Sequence, residues 1–204
     1  ELASAHDREY IRVLDDLLLR HMSFIRDLLT GQKLVDAQEK TIEIIDELKE
    51  ILNGIFLLRE LSKYSLDKVL SSGERISSLI ISMFLDRCIL VDARELIKTD
   101  DNFGNAGVDF DTSNKLIRKR IIRKSCLYCV PGFIASTAEG ETTTLGRGGS
   151  DYTAAIIAAA INADALEIWT DTDGFMTADP KKVEKAYAIR SLTYSEAIEL
   201  PHVW

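Results

Sequence analysis

The spacing of the apolar residues changes near Leu85, and this change constrains the fold more than any other feature of the sequence. Before it, apolar residues recur every three or four positions, which is the period of an amphipathic helix. This period predicts helices over about 7–29, 42–55 and 65–85, the first two of them antiparallel. We expect the third helix to be interrupted at 71–74, Ser-Ser-Gly-Glu, because glycine loosens the backbone and serine can cap the residues that follow.

Beyond Leu85, short apolar runs of strand length alternate with polar clusters and with one helix at a time. The predicted strands are 89–91, 127–130 and 166–169, and the predicted helices are about 111–123 and 151–163. Each strand is expected to be buried on both faces, as a parallel sheet requires. The sequence therefore predicts an α/β fold class, a three-layer sandwich with a mainly parallel central sheet and an inserted helical region near the N-terminus.

Composition and charge exclude several classes of protein. The chain has 204 residues, 46% hydrophobic and 28% charged, which is typical of a globular protein of one or two domains. The formal net charge is -8, so no overall positive field would attract nucleic acid or an anionic membrane. The apolar runs are far shorter than the roughly 20 residues that span a bilayer. We therefore expect neither nucleic acid nor a membrane as a partner, and an anionic ligand must meet local donors.

The three cysteines, Cys88, Cys126 and Cys129, lie in apolar stretches. The C-x-x-C spacing of the last two also occurs in metal and redox sites. On a strand, however, Cys126 and Cys129 would point to opposite faces, and no second Cys or His pair is present to complete a zinc site. We predict buried, reduced thiols of a cytosolic protein and assign no metal ligands.

A glycine-rich segment directly precedes the helix predicted at 151–163. Its sequence is Thr142-Thr143-Thr144-Leu145-Gly146-Arg147-Gly148-Gly149-Ser150-Asp151. Glycines let backbone N–H groups converge on an anion, and the N-terminus of the helix adds a partial positive charge. Arg147 can bind a carboxylate or a phosphate through two parallel hydrogen bonds. We expect an anion site here; the alternative is an ordinary turn in which Ser150 or Asp151 caps the helix.

A second polar cluster follows the strand predicted at 166–169. It comprises Thr170-Asp171-Thr172-Asp173-Gly174 and then Thr177-Ala178-Asp179-Pro180-Lys181. In an open parallel sheet, ligands bind beyond the carboxyl ends of the strands, so this cluster and the glycine-rich segment are expected to share one cleft. A solvated turn is the alternative. A calcium loop is excluded because the terminal Glu is missing, and the sequence contains no G-x-x-x-x-G-K-[ST] phosphate loop.

Taken together, these motifs resemble the signature of the aspartokinases, which have the amino-acid kinase fold. The matching segments occur in the family's order and spacing over about 57–200 and are residues 72–77, 92–95, 99–100, 103–106, 131–135, 144–154, 168–174 and 177–180. Within the family, residues 57–62 and 173–176 are most similar to the kinase portion of bifunctional aspartokinase/homoserine dehydrogenases.

The resemblance implies an enzyme that uses ATP and Mg²⁺ to phosphorylate the side-chain carboxylate of L-aspartate. The product would be 4-phospho-L-aspartate, in the first step towards lysine, threonine and methionine. The residues implied in substrate binding are Glu74 for the amino group, Arg147 for a carboxylate, and Gly148, Gly149, Ser150 and Asp151 around them, with Arg147 and Asp151 as catalytic candidates. The nucleotide is implied at Thr170, Asp171, Gly174, Met176, Asp179, Pro180 and Lys181, where Met176 stands in place of a common aromatic. A cytoplasmic homo-oligomer is also implied.

The sequence departs from the family pattern at both ends. No Lys-x-Gly-Gly motif, which holds the transferring phosphoryl group in the family, occurs in the chain, and residues 201–204 do not match. We expect residues 1–200 to form an incomplete amino-acid kinase domain, with a helical part at about 7–86 and an α/β core at 87–200, followed by a displaced or tag-like tail. These 204 residues alone are expected to be inactive, with oligomer contacts in regions partly absent.

Two alternatives remain open at this stage. The chain could be a non-catalytic fragment that binds aspartate or nucleotide, or another enzyme of the same fold that acts on glutamate, uridylate or carbamate. The combination of Ser-Gly-Glu at 72–74 with Gly-Arg-Gly-Gly-Ser-Asp at 146–151 argues against the second alternative.

Overall fold

The computed structural model describes residues 1–122, 126–170, 174–179 and 181–199. The chain divides into two compact units, Glu1–Leu166 and Glu167–Trp204. Residues 201–204, predicted to be a displaced tail, lie outside the described residues.

Three long helices occupy the N-terminal part of the first unit: α1 (Glu9–Leu28), α2 (Gly31–Leu58) and α3 (Lys63–Phe84). The ammonium group of Lys33 donates to the carbonyl of Met83 at 2.8 Å, and Arg75 bonds Glu47 at 2.8 Å, so α2 and α3 run antiparallel. The core shared by the three helices consists of Leu14, Ile25, Leu29, Ala37, Ile45, Leu48, Ile76 and Ile80. The helices predicted from the apolar period are thus confirmed.

The interruption predicted within the third helix is wrong, because α3 continues through 71–74. The hydroxyl groups of Ser71 and Ser72 donate to the carbonyl of Lys68, at 2.8 Å and 3.4 Å. Serine hydroxyls that bond the preceding turn are compatible with a helix. The N-cap is Ser62 instead, whose hydroxyl accepts the N–H of Ser65 at 3.1 Å.

The rest of the first unit alternates strands and helices. The elements are β1 (Cys88–Leu90), β2 (Lys98–Thr99), β3 (Val108–Asp109), α4 (Phe110–Arg120), β4 (Leu127–Cys129), β5 (Ile134–Thr137), β6 (Thr142–Thr144) and α5 (Gly149–Ile161), with a one-turn 3-10 helix at Ala93–Glu95. The second unit contains α6 (Tyr194–Glu199).

The strands form two sheets. β1 pairs in parallel with β4, and a four-stranded sheet has the order β3-β2-β5-β6. In the larger sheet β2 and β5 are parallel, whereas β2 with β3 and β5 with β6 are antiparallel. The core between these strands and α4 and α5 consists of Val91, Leu96, Ile97, Ile117, Ala135, Leu145, Ile156 and Ala160. The predicted α/β fold class is confirmed.

Burial of the predicted strands differs from expectation. Ile89 and Leu127 are exposed, so β1 and β4 are not buried on both faces. The strands that are entirely buried are β5 and β6, which the sequence analysis did not predict. Residues 166–169 form no strand, and Trp169 is 89% exposed. An apolar run becomes a strand only where a neighbour supplies ladder hydrogen bonds, and the described residues give this run none.

The described part of the chain contains no helix with the length and apolar character needed to cross a membrane. All three cysteines are free thiols and are half-buried rather than fully buried. The described residues contain no group of three or more His, Cys, Asp or Glu side chains placed to hold a metal ion.

Candidate functional site

The glycine-rich segment forms a tight turn between β6 and α5. Gly146 and Gly148 adopt left-handed backbone angles, with φ of 74° and 73°. Gly148 is the N-cap residue of α5, and no side chain bonds the cap. The alternative in which Ser150 or Asp151 caps the helix is therefore wrong. The first turn of α5 keeps its N–H groups free of a side-chain cap, as an anion site requires.

The segment 131–133 packs directly against this turn. A methyl group on Gly132 would lie 2.7 Å from the Cα of Ser150, and one on Gly149 would lie 3.0 Å from the Cδ2 of Phe133. Gly132 therefore accepts no larger residue unless the backbone of Ser150 shifts, and Gly149 accepts one only if its neighbours move by a few tenths of an ångström. Thr153 reinforces the contact, because its hydroxyl accepts the N–H of Phe133 at 3.1 Å and donates to the carbonyl of Gly149 at 2.9 Å.

The polar side chains of the turn face solvent. Arg147, Ser150 and Asp151 are exposed. Within the described ranges, none of these three side chains makes a hydrogen bond or an ion pair. The guanidinium group of Arg147 is therefore available to a ligand at the N-terminus of α5. The structure thus places Arg147, Gly148, Gly149, Ser150 and Asp151 together, as their sequence adjacency already implies.

Glu74 lies on α3 in the same unit and is half-buried. Its partial burial removes water from the carboxylate and raises the pKa of Glu74 above its ordinary value. Within the described ranges the carboxylate makes no hydrogen bond or ion pair. A desolvated carboxylate without a cation partner can gain free energy by binding an ammonium group.

Sequence analysis missed Asp67, which is fully buried on α3. Its Oδ2 accepts the N–H groups of Gly104 and Thr144 at 2.9 Å and 3.0 Å, and its Oδ1 accepts the hydroxyl of Thr144 at 2.8 Å. One signal was present in the sequence, because buried Asp67, Ser71, Ser78 and Ser82 recur at helical spacing and form a polar stripe on α3. The partners of Asp67, which are 37 and 77 residues away, could not be predicted from that stripe.

The second polar cluster belongs to the unit Glu167–Trp204. Asp171 and Pro180, both predicted to bind nucleotide, lie outside the described residues. Met176 pairs with Ala188 in an antiparallel bridge and is half-buried. Gly174 has a φ of 114°, a backbone angle that favours glycine.

The structure describes the other residues of this unit that were predicted to bind nucleotide. Thr170 and Lys181 are exposed. The carboxylate of Asp179 accepts the N–H of Lys181 at 2.9 Å and lies 3.7 Å from the ammonium group of Lys182. The assignment of these residues to a nucleotide, and the shared cleft with the glycine-rich turn, stay predictions.

Comparison with known proteins identifies the class of protein. The sequence profile described as the amino acid kinase family matches residues 12–202, so the chain belongs to that family. Among curated relatives, it is 34% identical to bifunctional aspartokinase/homoserine dehydrogenase 1, chloroplastic, of Zea mays, over 98% of this chain and 22% of that protein. It is 35% identical to lysine-sensitive aspartokinase 3 of Escherichia coli strain K12, over 77% of this chain and 37% of that protein.

A solved structure agrees with this membership. The chain matches the crystal structure of E. coli aspartokinase III in complex with aspartate and ADP with a TM-score of 0.87 and 30% sequence identity, over 94% of this chain and 43% of that one. The resemblance to aspartokinases seen in the sequence motifs is confirmed. The chain spans less than half the length of each of these relatives.

Proposed function

We propose that this chain forms the acceptor-binding part of a kinase that transfers the γ-phosphoryl group of MgATP to the side-chain carboxylate of L-aspartate. The observation that carries the proposal is the side chain of Arg147 at the N-terminus of α5, in a unit that also holds the half-buried Glu74. Neither side chain has a partner among the residues that the structure describes. A substrate with two carboxylates and one ammonium group needs this combination of donors and acceptor. The aspartokinase relatives support the same substrate.

Arg147 would bind one carboxylate of aspartate through two parallel hydrogen bonds. The N–H of Gly149 donates to the carbonyl of Gly146 at 3.1 Å, so the N–H groups of Ser150 and Asp151 would bind the same or the second carboxylate. The side chains of Ser150 and Asp151 would complete the pocket. The left-handed glycines matter because they bring the backbone within reach of the ligand without side chains in the way.

Glu74 would bind the ammonium group. Since burial raises the pKa of Glu74, the free protein holds its proton to a higher pH than an exposed glutamate would. The ammonium group of the substrate favours the ionised carboxylate, so the substrate and the proton compete for Glu74. Aspartate affinity is therefore expected to fall as the pH falls through this raised pKa.

In the proposed reaction a side-chain carboxylate oxygen of aspartate attacks the γ-phosphorus, and the bond to the leaving ADP oxygen breaks. No covalent intermediate with the protein is expected, because such transfers depend on positioning and on neutralising charge. The backbone of Gly148 and Gly149 would lie close to the transferred group. Thr170, Asp171, Gly174, Met176, Asp179, Pro180 and Lys181 are the proposed nucleotide ligands, and Mg²⁺ would enter bound to the phosphates of ATP.

The test is steady-state kinetics of the full-length polypeptide with Arg147→Ala. Loss of a charge-assisted carboxylate pair predicts a fall of roughly tens to hundreds-fold in kcat/KM for aspartate, with a smaller effect on ATP. Arg147→Lys should recover only part of this loss, because lysine keeps the charge without the planar fork. Exposed Arg120 on α4 provides the control, since Arg120→Ala should change neither value. An unchanged KM and kcat for aspartate in Arg147→Ala would refute the assignment.

The same kinetics decide between the alternatives. Binding of aspartate without turnover by the full-length polypeptide would favour a non-catalytic role. Turnover of glutamate, uridylate or carbamate in preference to aspartate would indicate another member of the family.

The expected homo-oligomer, the cytoplasmic location and the role in lysine, threonine and methionine synthesis belong to this proposal as well. The relatives include both a chloroplastic enzyme and a bacterial one.

A further inference from the structure

Asp67 is a charged side chain with no exposed surface, and three donors surround its carboxylate. Burying a carboxylate is unfavourable unless hydrogen bonds replace the lost water. Here two backbone N–H groups and one hydroxyl group do so. Removing the carboxylate would leave the buried N–H and hydroxyl groups of Thr144 and the partly buried N–H of Gly104 without this partner. The hydrogen bonds therefore stabilise both Asp67 and the two segments that it contacts.

The donors come from the two segments that shape the glycine-rich turn. Thr144 is the last residue of β6 and lies three residues before Arg147. Gly104 belongs to the loop that packs against Gly146, where an added methyl group would collide with the side-chain oxygen of Asn105. The carboxylate of Asp67 therefore binds both the residue at the start of the turn and the loop that packs against the turn.

Asp67 also fixes this turn relative to Glu74. The two acidic residues are on the same helix, seven positions apart, which is about two turns and places them on one face. α3 is continuous between them. The helix therefore acts as a rigid spacer between the group proposed to bind ammonium and the turn that carries Arg147.

We propose that Asp67 is a positioning residue that sets the distance between the Arg147 turn and Glu74, and thereby the fit of an α-amino acid with a second carboxylate. The inference rests on the proposed function, because it takes Arg147 and Glu74 as the substrate ligands. Asp67 acts through these residues and does not touch the substrate.

The experiment measures KM and kcat of the full-length polypeptide for L-aspartate and MgATP. Asp67→Ala should raise the KM for aspartate about tenfold and leave the KM for ATP within about twofold, since the bond network supports the acceptor side. Asp67→Asn should stay within about threefold of the wild type, because its amide oxygen can accept both N–H groups while its amide nitrogen donates to the hydroxyl of Thr144. An aspartate KM that is raised as much in Asp67→Asn as in Asp67→Ala would overturn the positioning role.

A double-mutant cycle separates positioning from general destabilisation. If Asp67 acts through the turn, Asp67→Ala in the Arg147→Ala background should change the aspartate KM by less than about twofold. An effect that adds in full to that of Arg147→Ala would contradict the inference. Ser113→Ala is the matched control, because Ser113 is also fully buried and accepts the N–H of Lys98 at 2.9 Å, away from the turn.

A milder variant and the wild type complete the experiment. Should Asp67→Ala fail to fold, Thr144→Val removes only the hydroxyl donor and is expected to raise the aspartate KM about threefold, with an unchanged KM overturning the inference. Absence of aspartate turnover in the wild type would refute the proposed function itself. Turnover in the wild type with an unchanged aspartate KM in Asp67→Ala would refute only the positioning role.

Discussion

Two buried polar side chains of the helical region differ in how they are paired. The carboxylate of Asp67 on α3 accepts three hydrogen bonds, whereas the hydroxyl of Thr41 on α2 is fully buried and has no partner in the described part of the chain. An unpaired buried hydroxyl costs about 1–3 kcal/mol. At the scale of single residues, the buried carboxylate that bonds the start of the glycine-rich turn is thus paired, whereas the buried hydroxyl of Thr41 is not paired within the described residues.

Thr41→Val should stabilise the protein by about 1 kcal/mol, because valine has nearly the same shape and leaves no polar atom unpaired. The measurement is the free energy of unfolding in urea. Thr153→Val is the control with opposite sign, since the buried hydroxyl of Thr153 bonds both Phe133 and Gly149. Equal destabilisation by both variants would mean that Thr41 has a partner in solution.

Glu74→Gln should raise the thermal midpoint at pH 8 and have little effect near pH 4. Burial raises the pKa of Glu74, so the folded state binds this proton more tightly than the unfolded state does. The ionised carboxylate therefore destabilises the fold above that pKa, and the amide removes this penalty. Thermal melts of both proteins across this pH range provide the check. A constant difference at all pH values would contradict the raised pKa.

The same substitution should weaken selection of the ammonium group. Comparison of L-aspartate with its analogue lacking the amino group should show a large preference in the wild type and a smaller one in Glu74→Gln, because charge is lost while shape is kept. Identical preference in the two proteins would mean that Glu74 does not bind the substrate.

At the scale of elements, the uninterrupted α3 has a direct test at Gly73. This glycine is exposed within the helix, and a methyl group there would meet no atom within 4 Å. Gly73→Ala should stabilise the protein by about 0.5–1 kcal/mol, since alanine is the better helix former. Gly148 has equally open space but a φ of 73°, so Gly148→Ala should destabilise it. Destabilisation by Gly73→Ala would favour the interrupted helix; urea unfolding of both variants gives the answer.

Sequence patterns predicted the helices well, because α1, α2 and α3 each repeat the apolar period over several turns. They missed β5 and β6, since the three threonines at 142–144 look like a polar loop although all are buried. Thr143 is tolerated there because its hydroxyl is 2.8 Å from that of Thr99. Burial of polar residues depends on partners that are remote in sequence, which no local pattern contains.

The same limit applies to the candidate site. The identities of Arg147 and its neighbours could be predicted, since adjacent residues on a glycine turn are brought together by local geometry alone. The support by Asp67 could not, because a helix position and a strand end 77 residues apart meet only in the folded unit.

At the scale of the whole molecule, a test is needed of whether the two compact units of this chain are sufficient to catalyse the proposed phosphoryl transfer. On the proposed function, a polypeptide of Glu1–Trp204 alone should show at most a small fraction of the aspartate kinase activity of a longer polypeptide that contains it together with a Lys-x-Gly-Gly segment. The chain contains no Lys-x-Gly-Gly motif, and one cation on a transferring phosphate can supply about 10³ to 10⁵ in rate. Coupled assays measure the turnover of aspartate and MgATP by both polypeptides. Calorimetry measures their affinity for aspartate. Activity of the short polypeptide within tenfold would contradict this and direct attention to Lys181.

The bond between Asp67 and Thr144 also predicts an order of events during folding. Helices form from neighbouring residues within about a microsecond, whereas a contact across 77 residues must wait until a long loop has closed. We therefore expect the glycine turn to take its final shape only after α3 has docked on β6. In refolding experiments, recovery of ligand binding should lag behind recovery of helical circular dichroism, and the substrate pocket should be among the last features of the first unit to mature.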